Sequence, residues 1–291
     1  MMKLNLMGRK KVWFTLSGIV ISISVIAVLI LGIKPGIDFK GGTFLDIKFE
    51  KTTTVSNVRD VLRKYDLADS VIQHSEENEF LIRSKRIEQK TQGEILKDFE
   101  KNFGIKEVRD IQNVGPGWGA QVTKGAFLAL VASLITILIY ISLRFEYKMA
   151  FSAVAALFHD VIIAVGLYAL FGREVTPNTI AGLLTILGYS LYDTIVVFHR
   201  IRENTKYLGR KRYSDMVNDS VNQVFMRSIN TSLTSLLPVI CLLMFGGETL
   251  KDFALILAIG LIAGTYSSIF IASPILAIWK EREPKYRPSK A

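Results

Sequence analysis

One cysteine and three histidines in 291 residues leave little material for a disulfide framework or a metal site. Cys241 lies inside an apolar run, where a lone thiol is expected to be a small buried hydrophobe. The chain also lacks G-x-x-x-x-G-K-[ST], H-E-x-x-H, C-x-x-C and G-x-S-x-G, so nothing points to nucleotide hydrolysis or covalent catalysis, and neither enzymatic activity, cofactor nor metal is expected. Polar surface is scarce too. Half of the residues are hydrophobic and the mean hydropathy is +0.33, more apolar than a soluble core of this length requires. The excess must face lipid.

Six segments are long and apolar enough to cross a hydrocarbon layer of about 30 Å, which takes about 20 residues at about 1.5 Å each. They run over 13–33, 125–143, 149–171, 178–199, 229–246 and 252–279. The first follows Lys3, Arg9, Lys10 and Lys11, which gives it the look of a signal peptide. It is too long for an h-region and lacks an A-x-A site, so an uncleaved span is expected after a short segment, 1–12.

The polar stretch 34–124 has the composition of a separate small domain. Alternation predicts strands at Thr43–Phe49, Ser70–His74, Glu79–Arg83 and Lys106–Asn113. Helical spacing predicts helices near Val55–Tyr65 and Glu88–Phe103, the first with Val58, Val61, Leu62 and Tyr65 on one face. The order βαββαβ fits a ferredoxin-like α+β unit.

The formal charge of +10 sits mainly at span ends. Eighteen Lys and Arg fall in the N-terminus, around 144–148, in the loop 200–228 and in the tail 280–291, against Arg173 and Lys251 in the short loops opposite. Positive-inside bookkeeping therefore places both termini in the cytoplasm and the 34–124 domain outside, and it removes the case for nucleic acid. The cluster Arg200, Arg202, Lys206, Arg210, Lys211 and Arg212 suits a topology determinant, an anionic lipid surface or an acidic partner.

Ionisable groups inside spans are costly and mark functional candidates. Asp193 lies in the inner part of the fourth span, and Arg227 enters the fifth at similar depth. A moving cation beside a buried carboxylate would switch it between proton uptake and release, while a static pair would only fix packing. His159 and Asp160, near the middle of the third span, are weaker candidates for a proton relay and serve equally to satisfy polar groups on another helix. Gly260 and Gly264 form a G-x-x-x-G close-packing face.

Pro35-Gly-Ile-Asp-Phe-Lys-Gly-Gly-Thr43 resembles the D-F-x-G-G signature of the SecF family, carried here by Asp38, Phe39, Gly41 and Gly42. Val114-Gly-Pro-Gly-Trp-Gly119, Leu143-Arg-Phe-Glu-Tyr-Lys148, Ala169-Leu-Phe-Gly-Arg-Glu174 and the run Gly188 to Asn204 extend the likeness from about Gly8 to Trp279. Tyr192, where the family usually has Asn, and His199, where Asp is usual, depart from it.

The resemblance implies a membrane all-α bundle of six helices, half of an RND-type transporter, with the α+β domain on the outer side. It implies SecD as the other half, and Asp193 and Arg227 as the intramembrane acid and base. It further implies a role in the bacterial inner membrane, drawing preprotein outward from the SecYEG translocon with the proton gradient. The alternative from a different class is a proton-coupled RND-type exporter of small molecules, against which the short outer domain argues.

Overall fold

The computed structural model describes residues 4–74, 78–209 and 211–286; Lys3, Arg210 and the tail beyond Tyr286, named above with the basic clusters, lie outside these. In chain order the elements are α1 (Lys10–Leu31), β1 (Lys34–Pro35), α2 (Ile37–Lys40), β2 (Gly42–Phe49), α3 (Val55–Arg63), β3 (Val71–His74), β4 (Glu79–Ser84), α4 (Gln89–Phe103) and β5 (Ile105–Val114). Then follow α5 (Pro116–Arg144), α6 (Tyr147–Leu170), β6 (Glu174–Val175), α7 (Pro177–Thr205), α8 (Tyr213–Phe245), α9 (Gly247–Ser267), a π-helical segment Ser268–Ala272 and α10 (Ser273–Lys280). Six helices are long and apolar enough to span a membrane, the sixth running from Leu250 to Lys280 through the π segment. The chain divides into two units, one helical and one formed by Pro35–Leu128 with Val175–Pro177.

The smaller unit is an antiparallel sheet in the order β3-β4-β2-β5 with α3 and α4 on one face. Numbered within the unit, this is the split βαβ arrangement of a ferredoxin-like fold. Period-two alternation sends Leu45, Ile47 and Phe49 of β2 inward, where they meet Val58, Val61 and Leu62 of α3 and Ile95 and Phe99 of α4. Tyr65, expected on the same face, is partly buried against this core. Thr54 caps α3 by accepting the Asn57 N–H at 3.3 Å, and Gly104, at φ +67°, closes α4 by donating to the Glu100 carbonyl.

The helical unit packs its core around Met149, Leu157, Leu187, Phe198, Val217, Val221 and Leu276. Its backbones approach closely where side chains vanish. A Cβ on Gly166 would lie 2.2 Å from the Cβ of Ser24, and one on Gly264 would lie 2.8 Å from the Cβ of Ser190. The G-x-x-x-G face of α9 thus meets α7, with Ile186 over Gly260.

Several boundaries differ from those expected. The helix of the second span begins at Pro116 rather than 125. The stretch 200–228 is mostly helix, because α7 runs on to Thr205 and α8 starts at Tyr213. Tyr213, Val217, Ser220, Val221 and Val224 recur at helical spacing and are buried, so packing extends α8 to 33 residues, about 50 Å and well beyond a hydrocarbon layer. Cys241 is exposed, not buried, because it lies on a length of α8 that other elements leave uncovered.

Candidate functional site

The glycine signature is built by backbone geometry. Gly41 ends α2 at φ +79°, a conformation that favours glycine, and donates to the Ile37 carbonyl at 2.8 Å. A Cβ on Gly42 would sit 2.5 Å from the Ser84 carbonyl oxygen, and one on Gly119 would sit 2.4 Å from that of Phe39. Asp38 occupies the first turn of α2. Together these residues fix the turn by which the chain enters β2.

In the helical unit the two adjacent ionisable residues of α6 turn toward one another. His159 Nδ1 stands 2.9 Å from Asp160 Oδ1, and both side chains are buried, Asp160 completely. Asp160 Oδ2 accepts the hydroxyls of Ser190 from α7, at 2.5 Å, and Ser267 from α9, at 2.7 Å. His159 Nε2 lies 3.2 Å from Ser17 Oγ of α1. Ser17 is 3.1 Å from the Tyr266 hydroxyl, which donates to the Trp13 carbonyl at 2.9 Å. Four helices thus meet on one polar chain, and the His–Asp couple serves all of them.

Asp193 lies one turn along α7 from Ser190, sixteen residues from Pro177 and so about 24 Å down the helix. It is 2% exposed. Ser232 of α8 donates to its Oδ2 at 3.4 Å and stands 2.5 Å from Thr265 Oγ1 of α9. Between the two acidic clusters, Thr194 and Ser268 are hydrogen bonded at 2.8 Å, and both reach the Ser190 carbonyl. Arg227 of α8 is exposed; its charge reaches Asp193, although the two side chains do not approach within the ~4 Å of an ion pair.

Sequence reasoning identified the charged members and missed the hydroxyls. Ser17, Ser190, Thr265, Ser267 and Tyr266 are ordinary residues in spans, and only the hydrogen-bonded chains that lead from them to Asp160, His159 and Asp193 distinguish them. The π segment had one local signal, Pro274, whose ring cannot take the usual place above the carbonyl four residues back; Ser273 Oγ instead donates to the Ser268 carbonyl at 3.0 Å. Tyr192 is half exposed, and the hydroxyl that donates to Asp193 comes from Ser232 of α8 instead. His199 contacts Glu203 at 3.7 Å on an exposed helix face.

Comparison with known proteins agrees with this architecture. The family model described as protein export membrane protein SecD/SecF, C-terminal, matches residues 93–282, and the SecD/SecF GG motif matches 26–53. A protein translocase subunit SecF from Sebaldella termitidis is 41% identical over 98% of this chain and 95% of its own length. One from Streptomyces coelicolor is 37% identical over 97% of this chain and 78% of its own. The crystal structure of SecDF, a translocon-associated membrane protein from Thermus thermophilus, superposes with a TM-score of 0.90 at 35% identity over 97% of this chain. SecDF in the super-membrane-facing form gives 0.74 at 35% identity. The present chain spans 39% and 40% of those two longer chains. By the span of the family match, the identity of its full-length relatives and the fold it shares with SecDF, the chain belongs to the SecD/SecF family of protein export membrane proteins, on its SecF side.

Proposed function

We propose that this multi-pass membrane protein acts with a SecD partner in the bacterial inner membrane, both termini cytoplasmic, and uses the proton gradient to help draw preprotein from SecYEG at a late stage of translocation. The observation that carries the reading is Asp193: a carboxylate 2% exposed within a span, contacted by the Ser232 hydroxyl and within the field of Arg227 on the neighbouring span. Moving one charge through the field is worth about 2.3 kcal/mol per 100 mV. Arg227, exposed on the membrane-spanning length of α8, is the kind of group that a second subunit must cover or approach. The distribution of Lys and Arg supports the orientation, and the longer SecDF chains support the partner.

The test is Asp193→Asn, assembled with SecD and SecYEG in vesicles, scored by release of preprotein driven by the proton gradient. Loss of the stimulation, with assembly intact, is expected. Undiminished stimulation would overturn the reading.

A further inference from the structure

The hydrogen bonds around His159 fix how many protons that site holds. Four contacts run in series, from Asp160 to His159, His159 to Ser17, Ser17 to Tyr266 and Tyr266 to the Trp13 carbonyl. Each needs one hydrogen between two electronegative atoms. Ser17 and Tyr266 bring one each, and a neutral imidazole brings one. That is three hydrogens for four contacts.

With the imidazole neutral and Asp160 ionised, every arrangement loses a link. A hydrogen on Nδ1 obliges Ser17 to donate to Nε2, so Tyr266 must choose between Ser17 and the Trp13 carbonyl. A hydrogen on Nε2 instead sets two bare lone pairs 2.9 Å apart, Nδ1 against Asp160 Oδ1. An imidazolium completes all four: Nδ1–H to Asp160, Nε2–H to Ser17, Ser17 to Tyr266 and Tyr266 to Trp13. The hydroxyls of Ser190 and Ser267 on Asp160 Oδ2 suit a carboxylate at the other end, and the Tyr266 ring lies nearly parallel to the imidazole with centroids 6.0 Å apart. Away from the ends of α1, α6, α7 and α9, the other acidic or basic side chain is Asp193, which turns to Ser232 of α8.

We propose that His159 and Asp160 form a second proton-binding site, separate from Asp193, holding a protonated imidazole against a carboxylate. Its proton latches α1 to α6 and α9. When the proton leaves, one link of the chain must open, so occupancy of the site and the seating of the first span change together. Use of this latch in transport rests on the function proposed above; the proton count does not.

Nitrogen NMR of histidine-labelled protein in lipid vesicles at neutral pH reads the site directly, with the His159 signals assigned by their loss in His159→Gln. Both ring nitrogens are expected to carry hydrogen in the wild type. In Ser17→Ala, which removes the Nε2 partner, the doubly protonated population should fall about tenfold relative to the neutral ring, the worth of one hydrogen bond to a charged group. A wild-type ring with one bare nitrogen overturns the proposal, as does an unchanged population in Ser17→Ala. Gradient-driven release from Asp193→Asn vesicles separates the two readings: undiminished release with a doubly protonated His159 would remove the transport role and leave the proton site standing.

Discussion

Leu4 and Asn222 exchange two hydrogen bonds, the Leu4 N–H donating to Asn222 Oδ1 at 2.8 Å and Asn222 Nδ2 donating to the Leu4 carbonyl at 2.9 Å. One helical turn earlier, Asn218 accepts the N–H groups of Leu6 and Met7 and also donates to Leu4. The amides, four residues apart on α8, stand in for a neighbouring strand and hold the segment before α1 so that Leu6 and Met7 are buried.

Replacing Asn222 by Ala should therefore free the first turn of the chain without unfolding the bundle. Each lost bond is worth about 1 kcal/mol, so a cost of about 2 kcal/mol is expected locally. Hydrogen exchange at Leu4, Leu6 and Met7 should quicken while amides of the α6 interior stay protected. Uniform quickening throughout the helices would show that the clamp supports the whole unit instead.

At Gly166 the backbones of α6 and α1 lie close together. Gly166→Ala would set a methyl 2.2 Å from Ser24 Cβ and 2.4 Å from its Cα, which the backbone can relieve only by separating the helices. A loss of about 1–3 kcal/mol is expected. Gly18→Ala, where no atom lies within 4 Å, is the control and should be neutral or mildly stabilising. Thermal unfolding of both variants in one detergent compares them.

Phe49 sits among Phe80, Phe99 and Phe103, with ring centroids 5.4, 5.3 and 5.2 Å away, and is 1% exposed. Phe49→Ala should cost the α+β unit about 3–5 kcal/mol. Limited proteolysis of the full chain should then cut within 42–114 before any helical span is attacked.

Asp46 gives the same unit a pH dependence. It lies on β2 opposite Leu81 and Asp110, and burial, with Glu79 adding its charge, pushes its carboxyl up to about 6 against the pull of Arg109. The folded unit thus holds a proton that the unfolded chain gives up near 3.9. This contribution to stability is complete below about pH 4 and is lost as pH rises through about 6. Asp46→Asn should stabilise the unit at pH 8 and leave it little changed at pH 4, as measured by exchange of β2 amides. Equal effects at both pH values would remove the charge from the explanation.

Much of this was legible in the sequence because the membrane enforces simple rules. Runs such as Val12–Leu31 have to be helices once no water is at hand for the backbone, and the alternation in Thr43–Phe49 has only one face to bury. Asp160 and Asp193 stood out as charges in apolar surroundings. Their partners did not, because a serine in a span also satisfies itself on its own helix, as Ser22 does on the Gly18 carbonyl. The separation of Asp193 and Arg227 was equally hidden: similar depth on adjacent spans brings the charge of Arg227 to bear on the carboxylate without setting whether the side chains touch. The start of α8 was missed because its first turns are polar and lie beyond any hydrophobic run, held by tertiary packing alone.

The π segment Ser268–Ala272 joins the two halves of the sixth span. A π turn takes up one more residue than an α turn. Upstream, Ser267 is clocked to Asp160; downstream, Leu276 and Ala277 are clocked to the hydrophobic core. The wider turn thus absorbs one residue while both halves keep their faces, so losing a single residue between 268 and 272 would let it close to an ordinary α turn with Ser267 and Leu276 still facing their partners. The same loss elsewhere in the span would swing one half against the other by about 100°.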